Sequence, residues 1–443
     1  MHYLYSDCHA ASDHITWSDT AVKAIGNAHP PRPTVQWRRG QLMHPNCTSC
    51  GARLIAFATF CQTESFLDRP IAGNINFCPF TFNGDLSLGE IMSAVQHEAL
   101  HALGFSNSLF ALWRDQNGNP RTPRDPASKL PPVVNGIYQA STTTVMPLTY
   151  NNWVVSTGTI SHQVTLLVTP NVLSAAQIYF NCPSLTGVEL ENQGGPLTAL
   201  SHWEKRILGN ELMTGEITFN DRLSVLTLAA LQDTGWYQVN YSMAQPLVWG
   251  QNAGCLFAAG SCLGYTTSKL ASGSSIDPFC NHYAMTPDLL GCTIDRAAVS
   301  YCNLIQYPTP LPTDYQYFPS LGSSYGGGDD LADYCPFQTI YNNKVCSDAN
   351  NNPSTNYFAE TYGPGSACVL QGSVGWSMNN VKALNTPGAG CYQYSYVNNS
   401  LAIEVLGTGY PCPTADQQIN VSVTVNGFIY SGSLLCASYN QVH

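Results

Sequence analysis

The chain has 443 residues, of which only 10% are charged, and a formal net charge of −11. That length exceeds one typical domain, so two or three are expected. Lys and Arg total 17 and are scattered, with Arg38–Arg39 the nearest thing to a cluster, which argues against a nucleic-acid binder that tracks phosphates.

Seventeen cysteines run the length of the chain, eleven of them between Cys255 and Cys436. Such usage belongs to an oxidising compartment. The odd total leaves one cysteine free, paired between chains, or paired with something outside this sequence. Cys47 and Cys50 form a C-x-x-C, but no second pair follows at zinc-ribbon spacing, so they read as disulfide partners. No run of about 18 apolar residues occurs, so no transmembrane segment is expected. Met1–Cys8 lacks the apolar core of a secretory signal, and the C-terminus lacks a lipid-anchor tail. A disulfide-rich chain without an export signal leads to the expectation of a truncated N-terminus and an extracellular or cell-surface location. Four N-x-S/T tripeptides, at Asn46, Asn240, Asn398 and Asn420, fit export.

In chain order, a short amphipathic piece near Ser18–Asn27 precedes a proline-rich turn at His29–Pro33. Arg53–Phe60 reads as a buried strand and Pro70–Pro79 as a second. Ser87-x-x-Glu90 is a capping box that opens a helix. Leu88, Ile91, Met92, Val95, Ala99, Ala102 and Leu103 recur at helical spacing and predict a core-facing stripe, with His97 and His101 on the opposite side. Gly104 is expected to stop the helix in a left-handed conformation.

His97, Glu98 and His101 stand in the order H-E-x-x-H. On a helix, two histidines four apart share a face and can share a metal ion, with the glutamate placed to act on a water held by that metal. The starting expectation is a zinc peptidase.

Further on, Asn107–Pro132 is rich in loop residues. Thr142–Pro147 and Gln163–Val168 read as short strands, and Ser174–Phe180 as a short helix. His202 lies 101 residues after His101 and is followed by Met213 in a tight turn, which makes it a credible third ligand. Three histidines would leave a fourth zinc position open, as a catalytic site requires. Asp221–Thr234 returns to helical spacing. From about Gln245 onward Gly, Pro, Asn and Cys dominate, with short strands such as Gln418–Val425, and small disulfide-stapled cores are expected. Gly326–Gly328 before Asp329–Asp330 reads as a solvated acidic turn rather than a calcium loop.

The stretches HEALHALGF and SHWEKRILGNELMTG resemble the two halves of the active site of the leishmanolysin family of metzincin peptidases. AFATFCQ at Ala56–Gln62, RPIAGNINFCP at Arg69–Pro79 and LAALQDTGWYQVNYSMAQPLVWGQNAGC at Leu228–Cys255 extend the likeness over roughly Cys47 to Cys262. The resemblance implies a metzincin zinc site with an insertion between the second and third histidines. It assigns His97, His101 and His202 as ligands of Zn2+, Glu98 as catalyst and Met213 as the methionine beneath the metal. It also implies protein or peptide substrates and a propeptide with an inhibitory cysteine, and no such segment is recognisable in this sequence.

The expected fold class is α+β: a metzincin-type zincin unit with an insertion domain and a disulfide-rich, β- and loop-rich C-terminal domain. The expected partition is residues 1–106 with the metal-binding helix, 107–242 with the third ligand and methionine turn, and 243–443 rich in cysteine. The expected activity is endopeptidase cleavage by a metal-activated water with a glutamate base. Two other readings stay open: a cysteine-rich adhesion protein that keeps the fold with weak catalysis, and a zinc hydrolase of non-peptide amides or esters.

Overall fold

The computed structural model describes residues 34–36, 54–78, 86–283, 290–379, 381–382, 388–397 and 400–437. The amphipathic piece near Ser18–Asn27, the Cys47–Cys50 pair, Asn46 and Asn398 lie outside the described residues. The chain divides into two compact units, residues 1–153 with 159–261 and residues 154–158 with 262–443.

In the first unit, three strands form a sheet: β1 (Thr34–Gln36), β2 (Ala56–Thr63) and β3 (Pro70–Phe77), in the order β1-β3-β2. β1 runs parallel to β3, and β2 runs antiparallel to it with register shifts near Gln62. The expected strands are both present, the first displaced a few residues toward its C-terminal end. Helix α1 (Leu88–Leu103) lies against this sheet. It approaches closely because β3 offers Gly73 beneath it: a Cβ there would stand 3.0 Å from Ala102 Cβ. Ala99 packs on Ile75, flanked by Ala58 and Phe77.

The capping box is formed as expected, with Glu90 N–H donating to Ser87 Oγ and Ser87 N–H to the Glu90 carboxylate. Gly104 stops the helix as expected, but its conformation and the apolar stripe differ from expectation. Gly104 has φ 158° and ψ −21°, which is not the left-handed helical conformation. Residues with side chains rarely adopt that backbone, and a Cβ would also sit tightly, 3.1 Å from Thr234 Cγ2 and 3.3 Å from the Trp236 ring. The stripe is also misjudged. Leu88 is 76% exposed and Met92 is exposed, while every residue from His97 to Leu103 is buried, both histidines included. Burial therefore rises along the axis rather than around it, because other segments close over the last two turns.

The insertion after α1 carries a long hairpin, β4 (Val145–Val155) and β5 (Gly158–Leu167), where two short strands were expected. Helix α2 (Pro170–Tyr179) follows, beginning a few residues before the expected Ser174, then β6 (Val188–Leu190), which pairs with β5. Helix α3 (Val225–Asp233) packs against α2 and sits within the expected 221–234 segment. Asp233 at its end accepts hydrogen bonds from the first N–H groups of α2, at 2.8 Å from Asn171 and 3.0 Å from Val172. A carboxylate at a helix N-terminus satisfies donors that have no partner inside the helix. Cys182–Cys255 closes this unit from the α2 end.

The second unit is built of small sheets held by disulfides, as expected. Cys262–Cys335, Cys280–Cys302, Cys292–Cys368, Cys346–Cys391 and Cys412–Cys436 are all formed. Cys61 and Cys78 are disulfide-bonded as well, so every cysteine among the described residues is oxidised. One four-stranded sheet runs in the order β8 (Val381–Lys382), β7 (Ser377–Met378), β10 (Phe428–Leu435), β9 (Gln418–Val425) in space. Trp376, fully buried, lies on Gly432, where a Cβ would come within 2.5 Å of the indole. β9 has the bounds expected from its alternating pattern.

Among the described residues no helix is long and apolar enough to cross a membrane. Asp329, in the acidic turn, accepts a hydrogen bond from Leu331 N–H at 3.0 Å.

Candidate metal centre

His97 and His101, one helical turn apart on α1, are met by His202 from a segment 101 residues further on. His202 is delivered by backbone pairing. Glu191, just after β6, donates its N–H to His202 C=O at 2.9 Å, and Trp203 bridges Leu190 on one side and Thr214 on the other. The same Trp203 N–H donates to Met213 C=O at 2.9 Å, so ligand strand and methionine turn are fixed as one piece.

The three Nε2 atoms form a nearly equilateral triangle with sides of 2.9, 3.1 and 3.1 Å. Among the described residues this is the one group of His, Cys, Asp or Glu side chains that converges in this way. These are not hydrogen bonds between imidazoles. Each Nδ1–H already donates to a backbone carbonyl: His97 to Leu212 at 2.7 Å, His101 to Phe105 at 2.6 Å and His202 to Thr198 at 2.7 Å. A neutral imidazole carries one N–H, so each Nε2 is left with a bare lone pair. Three lone pairs that face one another repel unless a cation lies among them.

Imidazoles bound to zinc at about 2.0–2.1 Å in a tetrahedral shell stand about 3.3 Å apart, close to the triangle observed. Nδ1–H to carbonyl bonds are the usual outer support of metal-bound histidine. Burial keeps the rings neutral. It lowers His97 to about 4 and His202 to about 3, the second helped by the neighbouring His97, and holds His101 well below its ordinary value.

Glu98 is buried beside His97, and its Oε2 has no hydrogen-bond partner among the described residues. Burial alone raises its carboxyl to about 8. A cation in the imidazole triangle would draw that value down again. A buried carboxyl oxygen with no protein partner is suited to a small polar guest, a water or a reacting group.

Met213 is fully buried, and the residue before it supplies the carbonyl that orients His97. The methionine turn is fastened by a residue that sequence reasoning did not single out. Glu211, fully buried, accepts hydrogen bonds from Met213 N–H (2.5 Å), Ser224 N–H (3.1 Å), Ser224 Oγ (2.7 Å) and Thr227 Oγ1 (2.6 Å). It thus ties the turn to the N-terminus of α3. Burial raises its pKa, and these four donors oppose the rise. Its one sequence signal was its place two residues before Met213. The three carbonyl acceptors carry no side-chain signature at all. Replacing Glu211 by Gln sets an amide N–H2 against donors that need an acceptor. The expected cost is about 2 kcal/mol, measured as a lower melting temperature of the metal-free protein. An unchanged melting temperature would show that the carboxylate does not fasten the turn.

Three converging neutral imidazoles, locked in one tautomer and accompanied by a buried carboxyl, could hold a metal ion, an arrangement of the kind a metal-dependent hydrolase uses. The comparisons with known proteins agree with that class. The leishmanolysin model of peptidase family M8 matches residues 42–443, and the chain belongs to that family. It is 40% identical over 412 residues to the leishmanolysin-like peptidase of Drosophila melanogaster and 36% identical over 416 residues to that of Caenorhabditis elegans. These alignments take in 88% and 87% of this chain but 60% and 62% of the relatives. Leishmanolysin of Leishmania tropica is 26% identical over 393 residues, covering 88% of this chain and 52% of that protein. The chain thus spans about 60% of the length of the curated relatives it matches best among these three. A disulfide-rich chain of this family fits an extracellular or secreted protein.

Proposed function

We propose that this chain is the catalytic part of a zinc-dependent endopeptidase. In this reading His97, His101 and His202 hold the metal through Nε2, Glu98 is the general base and Met213 lies beneath the metal. The observation that carries it is the commitment of all three Nδ1–H groups to carbonyls, which leaves three lone pairs converging beside a buried carboxyl. Family membership supplies the reaction class and favours this reading over a weakly catalytic adhesion protein.

Zinc bound there would lower the pKa of a water towards neutrality and polarise the scissile carbonyl. The chain's own share of the chemistry falls to Glu98. Its Oε2 takes the proton of the attacking water and returns it to the amine that leaves. Burial keeps competing water away from that carboxyl. No covalent intermediate is needed, so no serine or cysteine nucleophile is invoked.

The substrate strand would add to a sheet edge. Of β2 and β3, the two strands that flank the metal-binding helix, β3 is interior and β2 lies at an edge among the described residues, so β2 is the one proposed to take an extended peptide. The partition at residues 106 and 242, and association with a cell surface, belong to the same reading.

The test is digestion of casein with and without a chelator, on protein loaded with zinc. Expected is cleavage that stops on chelation and returns when zinc is restored. Cleavage indifferent to chelator would remove the metal from the reading, and loaded protein that cleaves no protein or peptide would remove the peptidase.

A further inference from the structure

We propose that Asn240 and Asn420 carry N-linked oligosaccharides, and that the one on Asn420 covers the open edge of the C-terminal sheet. Two of the four N-x-S/T tripeptides lie in described residues, Asn240-Tyr241-Ser242 and Asn420-Val421-Ser422, and both asparagines are exposed. At the first, Asn240 Oδ1 accepts from Ser242 N–H at 3.1 Å and Ser242 Oγ at 2.8 Å. The carbonyl end of the amide is engaged by the serine of its own tripeptide. Nδ2, the atom that would bear the sugar, is left without a hydrogen-bond partner among the described residues.

At the second, β9 alternates buried Ile419, Val421 and Val423 with exposed Gln418, Asn420, Ser422 and Thr424. It is the terminal strand of its sheet. The N–H and C=O of Ser422 turn away from β10 and meet the Tyr410 hydroxyl at 3.2 and 2.8 Å. Residues two apart on a strand share this phase, so Gln418, Asn420 and Thr424 present their own N–H and C=O to the same edge. Among the described residues Tyr410 covers one of these four positions. An open edge of this kind templates pairing with another chain, and proteins usually blunt it. A bulky, solvated substituent on Asn420 leaves from the exposed face beside that edge and crowds any chain that approaches it.

Every described cysteine is oxidised, which places the chain in the compartment where this modification occurs. The donor is a lipid-linked pyrophosphoryl oligosaccharide. The bond between asparagine Nδ2 and sugar C1 forms, the bond from C1 to the pyrophosphate oxygen breaks, the lipid pyrophosphate departs and one amide proton is released.

The test expresses the full chain in the secretory pathway of a eukaryotic host and releases glycans from the purified protein with an amidase that leaves aspartate behind. Peptide mass spectrometry is expected to find aspartate at 240 and 420. Ser242→Ala and Ser422→Ala should each remove one glycan, whereas Ser242→Thr and Ser422→Thr should keep it. Unmodified asparagine at either position in protein from the lumen or medium would overturn that assignment. For the edge, Ser422→Ala should increase self-association in sedimentation, while glycosylated Ser242→Ala and Ser422→Thr should match wild type. No increase on removal of the Asn420 glycan would overturn the covering role.

Discussion

Replacing Glu98 by Gln is expected to lower kcat for peptide cleavage by about 10²–10⁴-fold and to leave the metal content unchanged. The two halves of that outcome have separate physical origins. Glutamine matches the carboxyl in shape but cannot accept and return a proton, so the step assigned to Oε2 is lost. The imidazole triangle owes nothing to Glu98: its corners are the Nε2 atoms of His97, His101 and His202, each oriented by its own carbonyl. The fold should not suffer either. The carboxyl is already held near neutrality by burial in the metal-free chain, raised to about 8, so a neutral amide replaces a group that the pocket disfavours as a charge. A quenched fluorescent peptide gives kcat, and plasma mass spectrometry gives zinc per chain. Full turnover in Glu98→Gln would dismiss the base, and loss of zinc would make Glu98 a ligand instead.

The second large effect is expected from His202→Ala, which should abolish stoichiometric zinc and with it turnover. Two imidazoles from one helical turn hold zinc far less tightly than three, since a structural or catalytic site needs at least three protein donors. The comparison that isolates this cause is Thr198→Gly. It leaves the carbonyl that accepts from His202 Nδ1 and removes only the side chain, so zinc should be retained. Zinc retained at one per chain in His202→Ala would show that the third donor lies elsewhere.

Much of this centre could be read from the chain because its parts are local. Ser87 and Glu90 mark the helix start within four residues, and H-E-x-x-H needs only one turn of helix. Gln418–Val425 was legible for the same reason, as an alternating strand with one buried face. The errors share another cause. A helical wheel sorts residues around an axis, whereas α1 is buried along it, from an exposed Leu88 to a fully enclosed Leu103. That gradient depends on segments far away in sequence. Over the first half of β4 one face is exposed at Pro147, Thr149 and Asn151 and the other only half-buried at Met146, Leu148 and Tyr150, a weaker signal than a strand with one fully buried face, and its length was under-read. Glu211 escaped because a carboxylate that serves four donors looks, in sequence, like any surface glutamate.

The hydrogen bond from His97 to Leu212 spans 115 residues, while His101 and His202 each lean on a carbonyl four residues away. During synthesis His97 and His101 emerge well before their partners. At ~5–20 residues per second, the delay before Leu212 appears is roughly 6–20 s. Throughout that interval His97 can take either tautomer and the triangle lacks a corner. A ribosome-bound chain therefore cannot assemble the centre early. Whatever cleavage the finished molecule performs is withheld from its own unfolded N-terminal half while that half is most vulnerable.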